Sequence, residues 1–486
     1  MNLTNSETEY AMSPSASPTK TWVIVAAAVL AEVALAFETM MIYAAVPRLN
    51  QVFGDRQAVG WLVTGFFIVS AASAAIGGRL GDLYGRRKVI LYALALALLG
   101  SLVSGASSSL LGVFVGRCLQ GCAACVLPLC IGVVRENLPT NKAALGVGVM
   151  ISSAAIGTAG GQLLGGIIVD HFDWRMLFHV TAIFAGVGWA AIRWLVPTGQ
   201  ASINSGERLD VLGGVLFAPG LAALLYALNM ATKDGFTRPR PLIFMVAGLL
   251  MLVLWVGVEL RREHPMIDVR AVFTGRVGLA NLVMALVAVT TFQASLVMSL
   301  LLQQPVSTGV GFGKSATFYG SVALPGALIA IAASPLAGAL AARIGAKKVL
   351  IATLVLLVPI WAMSMLQIHE MGWMIGVILL TTVLGAVAHT SVPNLIIETS
   401  PLVRTSALVG FVVVIRAVFA GIGANIAVTM LAGTVADPLH PGVNHPSLSA
   451  YVSLFMLYGV LTLVAIGVVL MVPLHTVDSS EHEEVH

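Results

Sequence analysis

The chain has 486 residues, of which 58% are hydrophobic and 10% are charged, and its formal net charge is +4 at pH 7. An ordinary soluble domain carries roughly 25% charged residues, so this composition is too apolar to cover a water-soluble protein of this length. We therefore expect the lipid bilayer to cover most of the surface. The small and dispersed positive charge is unlike the clustered basic footprint of a nucleic-acid-binding protein.

The four cysteines lie together in one apolar stretch, at Cys118, Cys122, Cys125 and Cys130. A disulfide framework would place them in separate loops, so we expect reduced thiols that pack between helices. Three of them share a helical face, but one helix cannot surround an ion and no histidine lies near enough in sequence to complete a ligand set. We therefore expect no metal and no cofactor.

Apolar runs long enough to cross a bilayer recur along the whole chain. A transmembrane helix needs about 20 apolar residues. By this criterion the sequence predicts an all-α polytopic protein with fourteen spans, at residues 22–46, 58–78, 88–106, 109–133, 143–168, 176–196, 210–230, 241–261, 277–301, 316–341, 347–367, 372–396, 405–432 and 450–473. The first run is longer than the apolar region of a signal peptide, so we expect it to remain as a helix.

Lys and Arg are unevenly divided between the loops. If the N-terminus is cytoplasmic, the cytoplasmic side carries 17 of the 26 basic residues and the outer side carries 7. The remaining two, Arg117 and Arg416, lie inside spans. The positive-inside rule then places both tails, residues 1–21 and 474–486, in the cytoplasm.

One segment of the chain occurs twice. Gly78–Lys88 reads GRLGDLYGRRK and Gly338–Lys348 reads GALAARIGAKK, so that two glycines, a leucine and the final basic pair keep their spacing. The offset is nearer eight spans than six, which predicts two related six-helix halves with two extra helices between them. We place the halves at residues 22–197 and 277–473, and the linker with the inserted helices at 198–276.

Several motifs resemble those of the major facilitator superfamily, and in particular its fourteen-span drug:proton antiporters. Gly78–Lys88 is similar to the signature loop after the second span, Phe37–Pro47 to the first-span motif, and Arg117–Gly121 with Pro128 to the fourth-span motif. Further similar segments are Asp173–Arg175, Arg208–Gly213 and Pro265–Asp268. The resemblance covers essentially the whole chain. It implies a monomeric transporter of the bacterial inner membrane that exports amphipathic or lipophilic compounds by alternating access, driven by protons.

Two departures from the family pattern leave an alternative open. The first-span acid is Glu38 where the family usually has Asp, and Gln162 stands where the fifth-span antiporter motif has proline. These departures preserve the expected fold but weaken the inference to antiport. Proton-coupled uptake of a small organic acid or another metabolite is therefore the alternative function.

Four charged residues lie at membrane depth: Glu32, Glu38, Arg117 and Arg416. A charge in this position costs roughly 3 kcal/mol or more, so a functional role is the default interpretation. Glu38 and Arg117 lie at equal depth and can be neighbours if their spans pack as the resemblance implies. Glu38 is then the expected proton carrier, and a permanent Glu38–Arg117 ion pair that only fixes packing is the alternative.

The remaining membrane-embedded polar residues have two interpretations each. Glu32 faces away from Glu38 and is either a second proton or cation site or a satisfied carboxylate at a helix contact. Arg416 either anchors the two halves or contacts substrate. The lone His389 is expected to be a hydrogen-bonded packing residue, with a proton relay as the alternative. The predicted substrate cavity comprises Glu38, Met41, Arg117, Gln120 and Arg416.

Glycines mark two further predicted features. The gating motif of the cytoplasmic side comprises Gly78, Asp82, Gly85, Arg86 and Arg87, with a plain tight turn as the alternative. A small-residue stripe of Gly157, Gly161 and Gly165 allows close helix approach, either as static packing or as a sliding contact between the halves.

Two other classes of protein fit the sequence poorly. An intramembrane enzyme would need a nucleophile constellation, a metal-ligand cluster or a phosphate loop, and the sequence contains none. A channel or scaffold does not explain the buried titratable residues together with the twofold repeat.

Overall fold

The structure is a computed structural model that describes residues 18–138, 140–198, 211–234, 238–262, 269–270, 275–399, 405–432, 435–436 and 444–473. Its helices are α1 Pro18–Phe53, α2 Arg56–Tyr84, α3 Arg86–Ala106, α4 Leu110–Gly121, α5 Val126–Asn137, α6 Thr140–His171, α7 Met176–Leu195, α8 Val211–Asp234, α9 Pro239–Glu259, α10 Gly275–Gln303, α11 Ala316–Ile344, α12 Ala346–Leu366, α13 Met371–Thr399, α14 Thr405–Met430 and α15 Leu448–Met471. Two short strands, β1 Val435–Ala436 and β2 Asn444–His445, pair antiparallel before α15.

Within the described residues, twelve helical stretches are long and apolar enough to cross a membrane. Helices α4 and α5 form one of these stretches, because the 3₁₀ turn Cys122–Cys125 joins them. Helices α6, with 32 residues, and α8, with 24 residues, are further long helices outside this set of twelve. The predicted fourteen spans thus have twelve clear counterparts.

The repeated segment has the same backbone structure in both copies. The sequence predicted a loop over most of Gly78–Lys88, but α2 continues to Tyr84 and only Gly85 separates it from α3. The prediction failed because a helix can extend past its apolar span, where polar side chains meet water. Gly85 and Gly345 both have a φ of 91°, a backbone conformation that glycine adopts readily and other residues adopt rarely.

Helices α1 to α7 pack together, as do α10 to α15, and the two groups meet along α2–α14, α6–α11 and α1–α10. Helices α8 and α9 pack on each other, and α8 also contacts α2 and α14. We call the membrane side at which α1 ends the predicted outer side, and the side at which Gly85 links α2 to α3 the predicted inner side.

Candidate functional site: a buried polar cluster between the helices

Arg117 lies at the centre of a polar cluster inside the first group of helices. Its side chain is completely buried. Nη1 donates to Gln120 Oε1 at 2.9 Å and to the Glu38 main-chain oxygen at 3.2 Å, and Nε donates to the Leu62 oxygen at 3.3 Å. The guanidinium stacks over the Phe66 ring, 4.2 Å from its centroid. Arg117 therefore links α4 to α1 and α2.

The Glu38 carboxylate lies beside this guanidinium without an ion pair to it. Both residues belong to the described part of the chain, where Glu38 Oε1 and Arg117 Nη2 are buried and have no hydrogen-bond partner. Arg117 is nevertheless the nearby charge that acts on Glu38, and Ser101 is its hydrogen-bonding neighbour. The structure therefore brings the two predicted residues together, but not in the permanent ion pair of the alternative interpretation.

Two further hydroxyl groups extend the cluster to α3 and α7. Gln120 Nε2 donates to Ser101 Oγ at 2.9 Å, and Thr181 Oγ1 donates to the same oxygen at 3.1 Å. Sequence reasoning missed Ser101 and Thr181. Both lie within apolar helices and are fully or almost fully buried, but small hydroxyl residues are common in such helices and give little signal alone.

A second buried carboxylate, Glu32, faces the other half of the molecule. Its Oε2 is buried without a partner, and the charge that acts on it belongs to Arg416 on α14. The same guanidinium acts on His389 of α13, whose Nε2 lies 3.4 Å from the Thr291 hydroxyl. Glu32 and Glu38 thus have different cationic neighbours, and Arg416 lies away from the Arg117 cluster.

Met41 was predicted to line the substrate cavity, and the structure places it in closed packing. Its side chain is completely buried, and its backbone lies against α6 at Gly161 and Gly165. The backbone of α1 at Met41 is therefore part of the contact between α1 and α6. Met41 does not belong to the hydrogen-bonded cluster around Arg117.

The glycine stripe of α6 joins two helices of the same half. A Cβ atom at Gly157 would lie 2.6 Å from the Val33 oxygen, and one at Gly161 would lie 2.7 Å from the Phe37 oxygen. The interpretation of this stripe as a sliding contact between the halves is therefore wrong. Different glycines lie at the boundary between the halves. One is Gly320, where an added Cβ atom would lie 2.5 Å from Leu163 Cα.

Contacts between the halves close the predicted outer side. Tyr43 Oη donates to Gln293 Oε1 at 3.2 Å, and Ser299 Oγ donates to the Tyr43 main-chain oxygen at 2.8 Å. Gln162, at the position where the family has proline, donates to Ser295 Oγ at 3.2 Å. These bonds fasten α1 and α6 of one half to α10 of the other.

The first turn of α11 depends on the other half for its hydrogen bonds. Ser315 accepts from the N–H groups of Phe318 and Tyr319 through its side-chain and main-chain oxygens. The carboxylate of Asp170, at the end of α6, accepts from Ala316 N at 3.1 Å and from Thr317 N at 2.6 Å. The N–H groups of Ala316, Thr317 and Phe318, which the helix itself leaves unpaired, are therefore satisfied.

The predicted gating motif ties α3 to its neighbours within one half. Arg86 Nη1 forms an ion pair with Glu136 Oε1 at 3.1 Å, and Arg87 donates to the main-chain oxygens of Ile192 and Arg193. Gly78 lies inside α2. The side chain of Asp82 is outside the described part of the chain.

Sequence reasoning also missed a carboxylate in the inserted helices. Glu259, near the end of α9, is buried and accepts a hydrogen bond of 3.0 Å from Trp255 Nε1. An acid that follows a tryptophan by one helical turn was a detectable signal, but its place at the end of a predicted span suggested exposure.

A membrane-embedded bundle of two related helix groups, closed around buried charges, defines a class of solute transporters. The family model described as Major Facilitator Superfamily matches residues 28–319. The chain therefore belongs to the Major Facilitator Superfamily, a family of transporters and not of enzymes, and it is a multi-pass membrane protein.

Relatives and solved structures agree with this assignment. The chain is 28% identical over 368 residues to the multidrug resistance protein Stp of Mycobacterium tuberculosis, covering 73% of this chain and 67% of Stp. It is 29% identical over 321 residues to a uridine/deoxyuridine transporter of Lactococcus lactis, covering 64% and 66%. Such alignments span from 56% to 67% of the relatives' own length. In structure it is similar to a D-xylose-proton symporter, with a TM-score of 0.65 at 15% identity over 93% of this chain and 98% of that one.

Proposed function

We propose that this protein is a proton-coupled exporter of amphipathic or lipophilic organic compounds. The observation that supports this most directly is the Glu38–Arg117 arrangement, in which Glu38 Oε1 and Arg117 Nη2 are buried neighbours without partners. A charged side chain at membrane depth costs roughly 3 kcal/mol or more, so a functional role is its default interpretation. A carboxylate that is not fixed in an ion pair is free to take up and release a proton.

The coupling follows from two states of Glu38. When protonated, the neutral carboxyl group is compatible with its apolar surroundings and leaves Arg117 bound to Gln120 and to the backbone. When deprotonated, the carboxylate attracts the free Nη2 of Arg117. This exchange would pull Arg117 away from Gln120, and so alter the network that joins α1, α3, α4 and α7. Protonation and helix packing are then linked.

The conformation seen here is the state closed to the outside, in which substrate enters from the cytoplasm. The hydrogen bonds of Tyr43, Gln162 and Asp170 support this assignment, because each crosses between the halves near the predicted outer side. We propose that the protein has fourteen membrane spans, namely the twelve stretches described above together with α6 and α8. We place it in a bacterial inner membrane with both termini in the cytoplasm. The protein acts as a monomer.

Two features support export of drug-like compounds over other cargo. Stp, a relative of this chain, is named for multidrug resistance, and the motifs of the first and fourth spans resemble those of drug:proton antiporters. The alternative, uptake of a small metabolite, is supported by Gln162 in place of proline and by a relative that is named a uridine/deoxyuridine transporter.

Flux in proteoliposomes separates the two proposals. Purified protein is reconstituted, a pH gradient of either sign is imposed, and movement of a lipophilic cation such as ethidium is compared with that of uridine. Export predicts that ethidium moves against the direction of proton flow. Movement of uridine in the same direction as protons would favour uptake. A flux of either compound that does not depend on the pH gradient would exclude proton coupling.

A further inference from the structure

Helix α8 lies along the boundary between α2 and α14, that is, between the first half, α1 to α7, and the second half, α10 to α15. Near its predicted outer end, Tyr226 packs against Trp61 of α2, with ring centroids 5.8 Å apart. In its middle, Leu221 is buried together with Ile68 of α2. Nearer the predicted inner end, Phe217 is buried in a cluster that contains residues of both α2 and α14. Helix α8 therefore covers this boundary over most of its length.

The contact of α8 with α2 is interlocked at two separate points. A Cβ atom added at Gly214 would lie 2.9 Å from Ile76 Cδ1, so the Ile76 side chain lies against the bare backbone of α8. The second point is the ring pair of Tyr226 and Trp61, which prefers a defined geometry. The two points lie about 18 Å apart along the axis of α8. Sliding of α8 along α2 would break both of them.

The α14 side of the same boundary is mainly aliphatic. Val414 and Ala417 are buried in the cluster at the inner end of α8, and Val418 and Ile422 are partly buried against the clusters along it. Phe411 lies at the inner end and packs into the core of its own half as well. Contacts between aliphatic side chains are individually weak, so a helix that slides by a small distance exchanges them for similar ones.

Helix α9 packs closely on α8. A Cβ atom added at Gly248 of α9 would lie 2.7 Å from Leu224 N of α8, and such small residues allow two helices to approach closely. The Phe217 ring of α8 also packs on the Trp255 ring of α9, with centroids 4.9 Å apart. We therefore expect α8 and α9 to move as one unit.

We infer that the inserted helices α8 and α9 are carried by the first half and slide over α14, so that the α2–α14 boundary stays covered from lipid while the halves move. Alternating access changes the boundary between the halves, and a helix that contacts both of them must give up one contact. The interlocked contact with α2 makes α14 the side that yields. The inference rests on the alternating access of the proposed function, but on neither protons nor a particular substrate.

Distances between spin labels at the predicted inner side test the sliding. Trp194 at the end of α7, Leu212 near the start of α8 and Met471 at the end of α15 are exposed. Each pair of these residues is replaced by cysteine and spin-labelled, in a protein whose four native cysteines are alanine. Pulsed electron paramagnetic resonance in lipid nanodiscs then gives the distance within the first half, between α8 and each half, and between the halves.

A bulky residue at the boundary between the halves changes the conformation without any substrate. Gly320→Trp should force the predicted outer side open, because even a Cβ atom at Gly320 would lie 2.5 Å from Leu163 Cα in the first half. Gly186→Trp in α7 is the matched control, since a Cβ atom there meets no atom within 4 Å. Gel filtration checks that each variant is folded.

In Gly320→Trp, the Trp194–Met471 and Leu212–Met471 distances should both change by roughly 5 Å, about one helical turn, and the Leu212–Trp194 distance should stay constant. Gly186→Trp should change none of the three. A Leu212–Trp194 distance that changes as much as the Trp194–Met471 distance overturns the inference. An unchanged Trp194–Met471 distance would count against alternating access itself, and the sliding would be excluded with it.

Loosening the two interlocked points provides a second test. Ile76→Ala combined with Tyr226→Ala removes both of them, so the Leu212–Trp194 distance distribution should broaden in the Gly320→Trp background. Ile422→Ala removes a side chain of similar size on the α14 side and should leave that distribution narrow. Equal broadening by the two sets of substitutions would show that α2 does not hold α8 more firmly than α14 does.

Discussion

Arg117 donates through Nη1 to the main-chain oxygen of Glu38 at 3.2 Å and forms no ion pair with the Glu38 carboxylate within the described structure. The backbone bond holds the guanidinium against α1, next to the side chain of Glu38. The carboxylate therefore has a cation beside it that can become its partner without a large movement. This arrangement suits a group that must both hold and release a proton.

Replacing Glu38 by Gln should abolish gradient-driven transport while the protein still inserts and folds. Glutamine keeps the size and hydrogen bonding of the side chain but cannot exchange a proton. Glu38→Asp should keep part of the activity, and Glu32→Gln should be milder or alter the choice of substrate. The measurement is pH-gradient-driven flux in vesicles matched for protein amount. Accumulation against a gradient by Glu38→Gln would move the coupling role to another residue.

Asp170→Asn should weaken closure of the predicted outer side. The carboxylate makes two hydrogen bonds to N–H groups across the halves, and a charged acceptor contributes about 1.5–3 kcal/mol per bond. Ser299 is completely buried at the contact between α1 and α10, so a Ser299→Cys variant reports opening by its reaction with a membrane-impermeant maleimide. This labelling from outside should rise about fivefold or more in Asp170→Asn, as expected for a loss of about 1 kcal/mol or above. Asp173→Asn is the matched control, because Asp173 bonds within its own loop to Arg175. Equal labelling of both variants would show that Asp170 does not contribute to closure.

Alanine at Gly85 or at Gly345 should destabilise the protein to a similar degree. Both residues have a φ of 91°, a conformation that strains any residue with a Cβ by about 1–3 kcal/mol, and at Gly345 the added Cβ meets no atom within 4 Å. Gly78→Ala is the control, because Gly78 is helical and its Cβ also meets open space. Thermal unfolding in detergent measures all three. If Gly78→Ala unfolds as early as the other two, strain is not the cause.

Alanine at Gly161 should destabilise the packing of α6 on α1. The added Cβ would lie 2.7 Å from the Phe37 oxygen, and relieving such a clash costs about 1–3 kcal/mol. Gly186→Ala in α7 meets no atom within 4 Å and should be neutral or slightly stabilising. The same thermal unfolding assay compares the two variants. An unchanged unfolding midpoint for Gly161→Ala would mean that α1 and α6 can move apart to accommodate the added Cβ without loss of stability.

The membrane orientation is tested by cysteines at exposed positions in the loops or at the ends of helices. A cysteine at Arg238 or Val306 should react with an impermeant maleimide on intact cells, and one at Arg262 or Lys348 should react only after permeabilisation. The expectation rests on the excess of Lys and Arg in the loops of the predicted inner side. Labelling of Lys348→Cys on intact cells would reverse the orientation.

The sequence predicted the depth of Glu38 and Arg117 because both positions can be counted from the ends of apolar runs. It did not predict that Arg117 binds the Glu38 backbone, since that depends on the rotation of α1 and α4 about their axes. The neighbour of Glu32 was equally hidden, because Arg416 is distant in the chain and belongs to the other half. For the same reason the sequence left open whether the glycine stripe packs within one half or between the halves: spacing shows that a close contact exists but not which helix makes it.

Asp170 caps the start of a helix that belongs to the other half of the molecule, by accepting from two of its N–H groups. Whenever the outer side opens, Ala316 and Thr317 lose an anionic acceptor and water must replace it. This free-energy cost is the same with or without bound substrate. The substrate-free protein should therefore be closed on the predicted outer side most of the time. If the protein is the proton-coupled exporter proposed above, a resting bias of this kind would limit the leakage of protons when no substrate is bound.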